Sequence, residues 1–312
     1  MQENKKALVL LNMGGARSKD ELKMFLTNMF NDRNIITVKN DLIRKMIAYF
    51  IVSRRLDSAW ENYKHIGNAS PINPLTEKLV QKCNEQIEDY KVYQAMRYTP
   101  PFAQDVIEEI IKDGITNILL LPLYSQFSTT TTKSSVQDFI DYTPYSCKLE
   151  YIEEFYQNKK FNECIINEII SNVEDASEYN LIFSAHGLPQ KIVDKGDPYE
   201  EQMNEHVEIL KNMLQIKGVN FKSINLAYQS KVGPMKWLEP SLEYMLKNFK
   251  DQKVIIYPIA FIVDNSETDF ELNIEYREVA HDLGIKEYKV CRCVNDSDDF
   301  IEAIKDIIKG HK

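Results

Sequence analysis

IEEIIKDGITNILLLP, Ile107 to Pro122, decides the fold. A helical pattern stops at Gly114, where a left-handed residue suits the end of a helix, and a short apolar run follows that closes on a proline. The same grammar recurs in ILKNMLQIKGVNFKSINLAY (209–228), which turns at Gly218, and in EVAHDLGIKEYKV (278–290), which turns at Gly284. Helices alternating with short apolar strands predict parallel strands joined by crossover helices, an α/β architecture. Strands are expected at 7–12, 91–96, 117–124, 148–155, 180–185, 223–228, 254–260 and 287–292.

An internal echo divides the chain into two halves of related plan. VYQAMRYTPP leads through a helix to LLLPLY, and SINLAYQS, with Pro234 and Pro240 after it, leads through a helix to VIIYPIA. Pro122 and Pro258 fall late in matching strands, and the first strand of each half ends in a short polar loop, NMGG at 12–15 and SAHG at 184–187. The expected architecture is two doubly wound parallel-sheet, Rossmann-like halves, residues 1–150 and 151–312, with a cleft between them lined by loops at strand C-termini. NMGG lacks the third glycine of a dinucleotide fingerprint, which argues against a nicotinamide-dependent enzyme.

Composition narrows the function classes. The 312 residues carry 38 Lys and Arg against 47 Asp and Glu, a formal charge of −9, which argues against nucleic acid as the partner. The longest apolar run, Val254 to Val263, is far short of the roughly 20 residues of a spanning helix. Five cysteines without paired spacing and an N-terminus without a signal-peptide core point to a reducing, cytoplasmic setting. Residues 41–56, DLIRKMIAYFIVSRRL, fit the strand–helix plan less well. They read either as a buried core helix or as an apolar, basic-flanked lip able to touch a membrane surface.

Two places could carry chemistry. His186 follows the strand NLIFSA and precedes Gly187, so its imidazole is expected at a strand C-terminus, where open α/β sheets bind ligands. His65, His206, His281 and His311 lie in polar or helical contexts and read as surface residues. Ser184 invites a hydrolase reading, but no G-x-S-x-G occurs. The second place is DNSETDFELNIEYREV (264–279), with Asp264 or Ser266 as helix cap and Asp269 completing a capping box. On an α-helix Glu267, Glu271 and Glu275 share one face and Glu278 joins them. That ladder is either a solvated face or an inward path for a divalent cation; one imidazole and one carboxylate suit iron, zinc or cobalt held loosely enough to be handed on. Cys291 and Cys293 share a strand face but lack further ligands nearby. SQFSTTTTKSS (125–135) is a hydroxyl-rich loop able to donate several hydrogen bonds.

Taken together, LVLLNMGG (8–15), FLTNMFNDRNII (25–36), IGNASPI (66–72), AMRYTPP (95–101), LLPLYSQFSTTTT (120–132), FSAHGLP (183–189), KGDPY (195–199), YQSKVGPMKWLEP (228–240), SETDFELNIEY (266–276) and CRCVND (291–296) resemble ferrochelatase, the family that inserts ferrous iron into a porphyrin at the end of haem synthesis. The resemblance implies a chelatase-like fold, with His186 and Glu267 binding iron and accepting pyrrole protons. It makes Glu271, with Glu275 and Asp264, part of a metal or proton path. It sets Met13, Arg55, Ser70, Arg97 and Tyr98 near the porphyrin and makes residues 41–56 the lip over its pocket. Met13 is like members that act on protoporphyrin IX. The sequence departs from the family pattern at Gly67-Asn68-Ala69, at Ser125 and at Val263-Asp264-Asn265. No cysteine-rich tail follows, so no iron–sulfur cluster is expected, and no organic cofactor; porphyrin and ferrous iron are the implied partners. A cobalt or nickel chelatase of the same fold, and a non-catalytic haem or metal carrier, are the competing readings.

Overall fold

The computed structural model describes residues 6–231, 233 and 235–311. The chain divides into two compact units. One runs to Tyr124 and takes up again at Ser128–Glu154; the other comprises Ser125–Phe127 and Phe155–Gly310.

The first unit runs β1 (Lys6–Asn12), α1 (Lys19–Asn31), α2 (Asp41–His65), α3 (Ile72–Gln86), β2 (Tyr90–Met96), α4 (Ala103–Lys112), β3 (Asn117–Pro122), α5 (Thr132–Tyr142) and β4 (Lys148–Tyr151). The second runs α6 (Lys159–Ser171), β5 (Tyr179–His186), α7 (Gln190–Val193), α8 (Tyr199–Ile216), β6 (Ser223–Gln229), α9 (Leu242–Leu246), β7 (Lys253–Tyr257), a π-helix (Glu267–Glu275), α10 (Tyr276–Asp282), β8 (Glu287–Val290) and α11 (Asp298–Gly310). Each unit holds one four-stranded sheet, ordered β2-β1-β3-β4 in the first and β6-β5-β7-β8 in the second, all pairs parallel. The two sheets therefore share one winding, as the internal echo predicts.

All eight predicted strands form, and the differences lie at their ends. β7 stops at Tyr257, just before Pro258, and β4 reaches only Tyr151. The three punctuating glycines take φ of +75° at Gly114, +72° at Gly218 and +73° at Gly284. The echo extends to the loops after the second strands: Met96 N donates to Pro101 O at 2.7 Å, and Tyr228 N to Pro240 O at 2.9 Å. Pro234 lies outside the described residues.

Burial follows the pattern of a parallel sheet covered on both faces. Val9, Leu11, Ile118 and Leu120 pack on Val106, Ile107, Ile110 and Phe139 in the first unit. Ile182, Val254 and Ile256 pack on Leu242, Leu246, Leu272 and Ala280 in the second. The 41–56 segment is not a buried core helix. Ala48 and Val52 face the protein, whereas Leu42, Ile43, Met46, Tyr49 and Phe50 are exposed. Among the described residues no helix is long and apolar enough to cross a membrane.

His206 corrects a second expectation. It is fully buried on α8, where Gln126 Nε2 lies 2.7 Å from Nδ1 and Asn162 Oδ1 lies 2.7 Å from Nε2. Burial drives its pKa down to about 3, so the ring is held neutral. His65, His281 and His311 are exposed. Cys291 and Cys293 are buried thiols, held protonated by burial.

Candidate metal-insertion site

In a sheet wound β6-β5-β7-β8, the winding reverses between β5 and β7, and ligands of open α/β sheets bind at that point, beyond the strand C-termini. His186 is the last residue of β5, and Glu267 opens the π-helix reached from β7. The fold brings them into contact: His186 Nδ1 lies 2.8 Å from Glu267 Oε2. The imidazole is 37% exposed and the carboxylate 23%, so the pair is open on one edge. Phe261 packs edge-on against the ring, and Tyr199 Oη donates to the His186 carbonyl at 2.9 Å.

β6 supplies the rest of the site. His186 pairs in register with Gln229, and Gly187 N donates to Gln229 O at 2.9 Å. A Cβ at 187 would come within 2.8 Å of that carbonyl, so only glycine lets the two strand ends converge. Gln229 Nε2 then reaches Glu267 Oε2 at 3.3 Å, and Ser230 Oγ lies 3.0 Å from the same oxygen. Ser230 also holds Glu271, through N to Oε1 at 2.8 Å and Oγ to Oε2 at 2.6 Å. It does so from φ +66°, a left-handed conformation that a serine rarely adopts.

Three contacts thus fall on Glu267 Oε2. The contacts seen among the described residues engage Glu267 through Oε2 and His186 through Nδ1.

The charges follow from these contacts. Enclosure by protein atoms pulls the His186 imidazole down, but the charge and hydrogen bond of Glu267, with the charge of Glu271, outweigh it and raise the net value. Enclosure pushes Glu267 up, and His186, Ser230 and Gln229 together bring it below the ordinary carboxylate value. Enclosure and the charge of Glu267 push the Glu271 pKa up to about 7; the Ser230 hydrogen bond and the charge of His186 pull it down, but they are the weaker influences.

The acidic helix is not the α-helix expected from the acid spacing. Residues 267–275 form a π-helix, closed by Tyr276 N donating to Glu271 O, five residues back. Glu278 lies beyond it on α10 and is exposed, so it does not join the ladder; Glu275 is exposed beside Glu271 and adds to its negative surroundings.

The cap differs as well. Ser266 has helical dihedrals and caps nothing. Asn265 does the work: its Oδ1 accepts from Glu267 N at 2.8 Å, and its N donates to Thr268 Oγ1 at 2.9 Å.

Asp264, read from the sequence as part of the path, is turned the other way. Its buried carboxylate accepts from Cys293 N at 3.0 Å, Arg292 Nε at 3.0 Å and Asn295 Nδ2 at 2.8 Å, which ties the start of the π-helix to the loop after β8.

The residues set near a porphyrin by resemblance lie in the first unit. Ser70, Arg97 and Tyr98, from two other loops, gather against the loop after β1 that carries Met13: Tyr98 N donates to Met13 O at 3.1 Å, Arg97 N to Asn12 O and Ser70 N to Ala16 O, both at 2.8 Å. Arg97 does not present a free cation. Asp32 and Asp138 each lie 3.1 Å from its guanidinium, which also donates to Ser134 Oγ at 3.0 Å. Tyr98 is buried, with its phenol donating to Asp32 at 3.0 Å. Arg55 is exposed on α2. Gln229 and Ser230 were visible in the sequence only as the polar end of a strand; their register beside His186 is the signal that marks them.

Among the described residues no three His, Cys, Asp or Glu side chains close into a metal cage.

The chain matches the family model described as Ferrochelatase over residues 5–312. It is 53% identical to a ferrochelatase of Sulfurimonas denitrificans over 309 residues, 97% of this chain and 98% of that protein. It is 48% identical to a ferrochelatase of Nitratiruptor over 307 residues, again 97% and 98%. Among solved structures it resembles SirB from Bacillus subtilis, with a TM-score of 0.60 over 98% of this chain and 94% of that one; at 12% identity the likeness is one of fold.

Proposed function

The chain belongs to the ferrochelatase family, and from that premise we propose that His186 and Glu267 are the pair at which iron is exchanged for pyrrole protons. The enzyme inserts ferrous iron into protoporphyrin to give protohaem, a lyase reaction that releases two protons. One observation carries the assignment of the pair: the 2.8 Å contact between His186 Nδ1 and Glu267 Oε2 at the switch point of the second sheet.

The chemistry follows from which atoms are engaged. With Nδ1 turned to Glu267, His186 offers Nε2 to a pyrrole N–H, and the imidazolium formed is stabilised by the carboxylate behind it. Glu267 Oε1 and His186 Nε2 are a hard and a borderline donor, a set that holds ferrous iron weakly enough to release it to four porphyrin nitrogens. Glu271 relays the second proton: it gives its own proton out toward solvent and takes the pyrrole proton in its place. Ser230 Oγ has one proton and touches carboxylate oxygens of both Glu267 and Glu271, so when it donates to Glu267 the proton on its other contact comes from Glu271. A Glu271 pKa of about 7 supports that assignment, and exposed Glu275 leads from it to solvent.

In the first unit, the loops carrying Met13 and Ser70, joined by the bond from Ser70 N to Ala16 O, support a porphyrin seat beside β1. The exposed Leu42, Ile43, Met46, Tyr49 and Phe50 of α2 support peripheral contact with a membrane surface, which flotation of Met46→Glu and Phe50→Glu variants with anionic vesicles tests.

The decisive experiment is anaerobic incubation of the protein with protoporphyrin IX and Fe²⁺, Zn²⁺ or Co²⁺, followed by absorption. Turnover with Fe²⁺ that is lost in His186→Ala and Glu267→Gln supports the pair. Turnover with cobalt alone would make the chain a different chelatase, and turnover that survives both substitutions would move the exchange elsewhere.

A further inference from the structure

Ser184 precedes His186 by two residues on β5, so the strand's alternation puts both side chains on one face. It is fully buried, and its hydroxyl donates to Gln229 Oε1 at 2.6 Å. Gln229 is itself only 1% exposed, and its other end donates to Glu267 Oε2 at 3.3 Å. Three side chains from β5, β6 and the π-helix thus form one line ending on the carboxylate opposite His186. From this line we propose that Ser184 is a positioning residue: acting through the Gln229 amide, it fixes the orientation in which Glu267 meets the metal. The proposal rests on Glu267 being the metal-exchanging carboxylate, as assigned above.

The reasoning turns on the two ends of an amide. The backbone of Gln229 is fixed by the ladder to His186 and by the bond from Gly187 N, but neither decides which way its side-chain amide faces. A hydroxyl proton aimed at Oε1 decides it, because the turned-over amide would set its NH₂ against Ser184 Oγ and its carbonyl oxygen against the Glu267 carboxylate. With Oε1 held, Nε2 joins His186 and Ser230 on Glu267 Oε2. Without the Ser184 hydroxyl the amide is free to turn, and a carbonyl facing the carboxylate pushes it out of register with His186. Partners of this kind around a ligating side chain are worth tenfold or more in metal affinity.

The test is a set of steady-state measurements on the full-length enzyme with Zn²⁺ and protoporphyrin IX, each varied with the other saturating. Ser184→Ala should raise the KM for Zn²⁺ about tenfold and leave the KM for porphyrin within about twofold, a split that general loosening of the fold does not produce. Ser184→Thr, which keeps the hydroxyl, should restore most of the loss. Gln229→Met should match or exceed Ser184→Ala, and the double variant should be no worse than Gln229→Met alone, because both act through one contact.

A Zn²⁺ KM unchanged in Ser184→Ala would overturn the proposal, and so would losses that add in the double variant. If Gln229→Met does not fold, Ser184→Ala alone decides. Glu267→Gln in the same assay separates the two levels. If it leaves the Zn²⁺ KM unmoved, the assignment of the carboxylate fails; if it raises that KM while Ser184→Ala does not, only the positioning role fails.

Discussion

Ser230 Oγ lies 2.6 Å from Glu271 Oε2, yet burial and the charge of Glu267 outweigh what Ser230 and His186 do to keep that carboxylate ionised. Glu271 therefore keeps its proton until pH is about 7, whereas in the unfolded chain it loses it near 4.5. A group whose pKa is raised by folding stabilises the fold fully below its unfolded value, and that contribution is lost as pH climbs through the folded value. Glu271→Gln has nothing to ionise. It should be more stable than the wild type at about pH 8, by on the order of 1 kcal/mol, and similar to it at about pH 4. Urea melts at the two pH values measure this; an identical difference at both would show that Glu271 is not held protonated.

The pair and its neighbours should separate cleanly in activity. His186→Ala should lower metallation by about 10²-fold or more while leaving the melting temperature close to wild type, because a half-exposed imidazole at a strand end packs little. Glu267→Gln should fall by a similar factor. Glu278→Gln, exposed on α10, should stay within about twofold. Absorption of the metalloporphyrin product gives all three rates, and equal losses at 267 and 278 would reduce the helix to a solvated acidic face.

The strands, the winding and the position of His186 were legible because local signals specify them: a glycine ends each helix, an apolar run makes each strand, and a polar loop follows. The π-helix was not legible. Acids four apart fit an α-helix equally well, and the choice is made by bonds such as Tyr276 N to Glu271 O that leave no mark in composition. His206 was misjudged, and the bonds that engage Asp264 and Arg97 were not legible, for a shared reason. Each is committed to partners far along the chain: Asp264 to Cys293 and Asn295, Arg97 to Asp32 and Asp138, His206 to Gln126 and Asn162. A polar residue's burial depends on such partners, and one sequence does not say which remote groups will meet it.

For Asp264 the consequence is a role in stability. Asp264→Ala would leave Cys293 N without its acceptor and Asn295 Nδ2 with only Cys293 O, at a buried position, at a cost of about 2–3 kcal/mol. The variant's KM for Zn²⁺ should stay within about threefold of wild type, since the carboxylate does not touch Glu267 or Glu271. Thermal melts and metal titration of the rate report the two effects separately. A normal melt with a large rise in metal KM would return Asp264 to the path.

His206 sets the acid limit of the second unit. Unfolded, its imidazole takes a proton near pH 6.5; folded, with Gln126 donating to Nδ1 and Nε2 donating to Asn162, it refuses one until about pH 3. Stability from this residue is therefore complete above pH 6.5 and is lost as pH falls toward about 3, at up to about 1.4 kcal/mol per pH unit. His206→Gln keeps a donor and an acceptor but cannot titrate. It should be less stable than wild type at neutral pH, by about 1–2 kcal/mol for the imperfect fit, yet lose stability more slowly on acidification. The gap between the two proteins should narrow steadily below pH 6.5 in urea melts, because only the wild type has to strip a proton from His206 in order to fold. Parallel curves would mean that the buried imidazole is protonated in place, and that the Gln126 and Asn162 contacts do not exclude the charge.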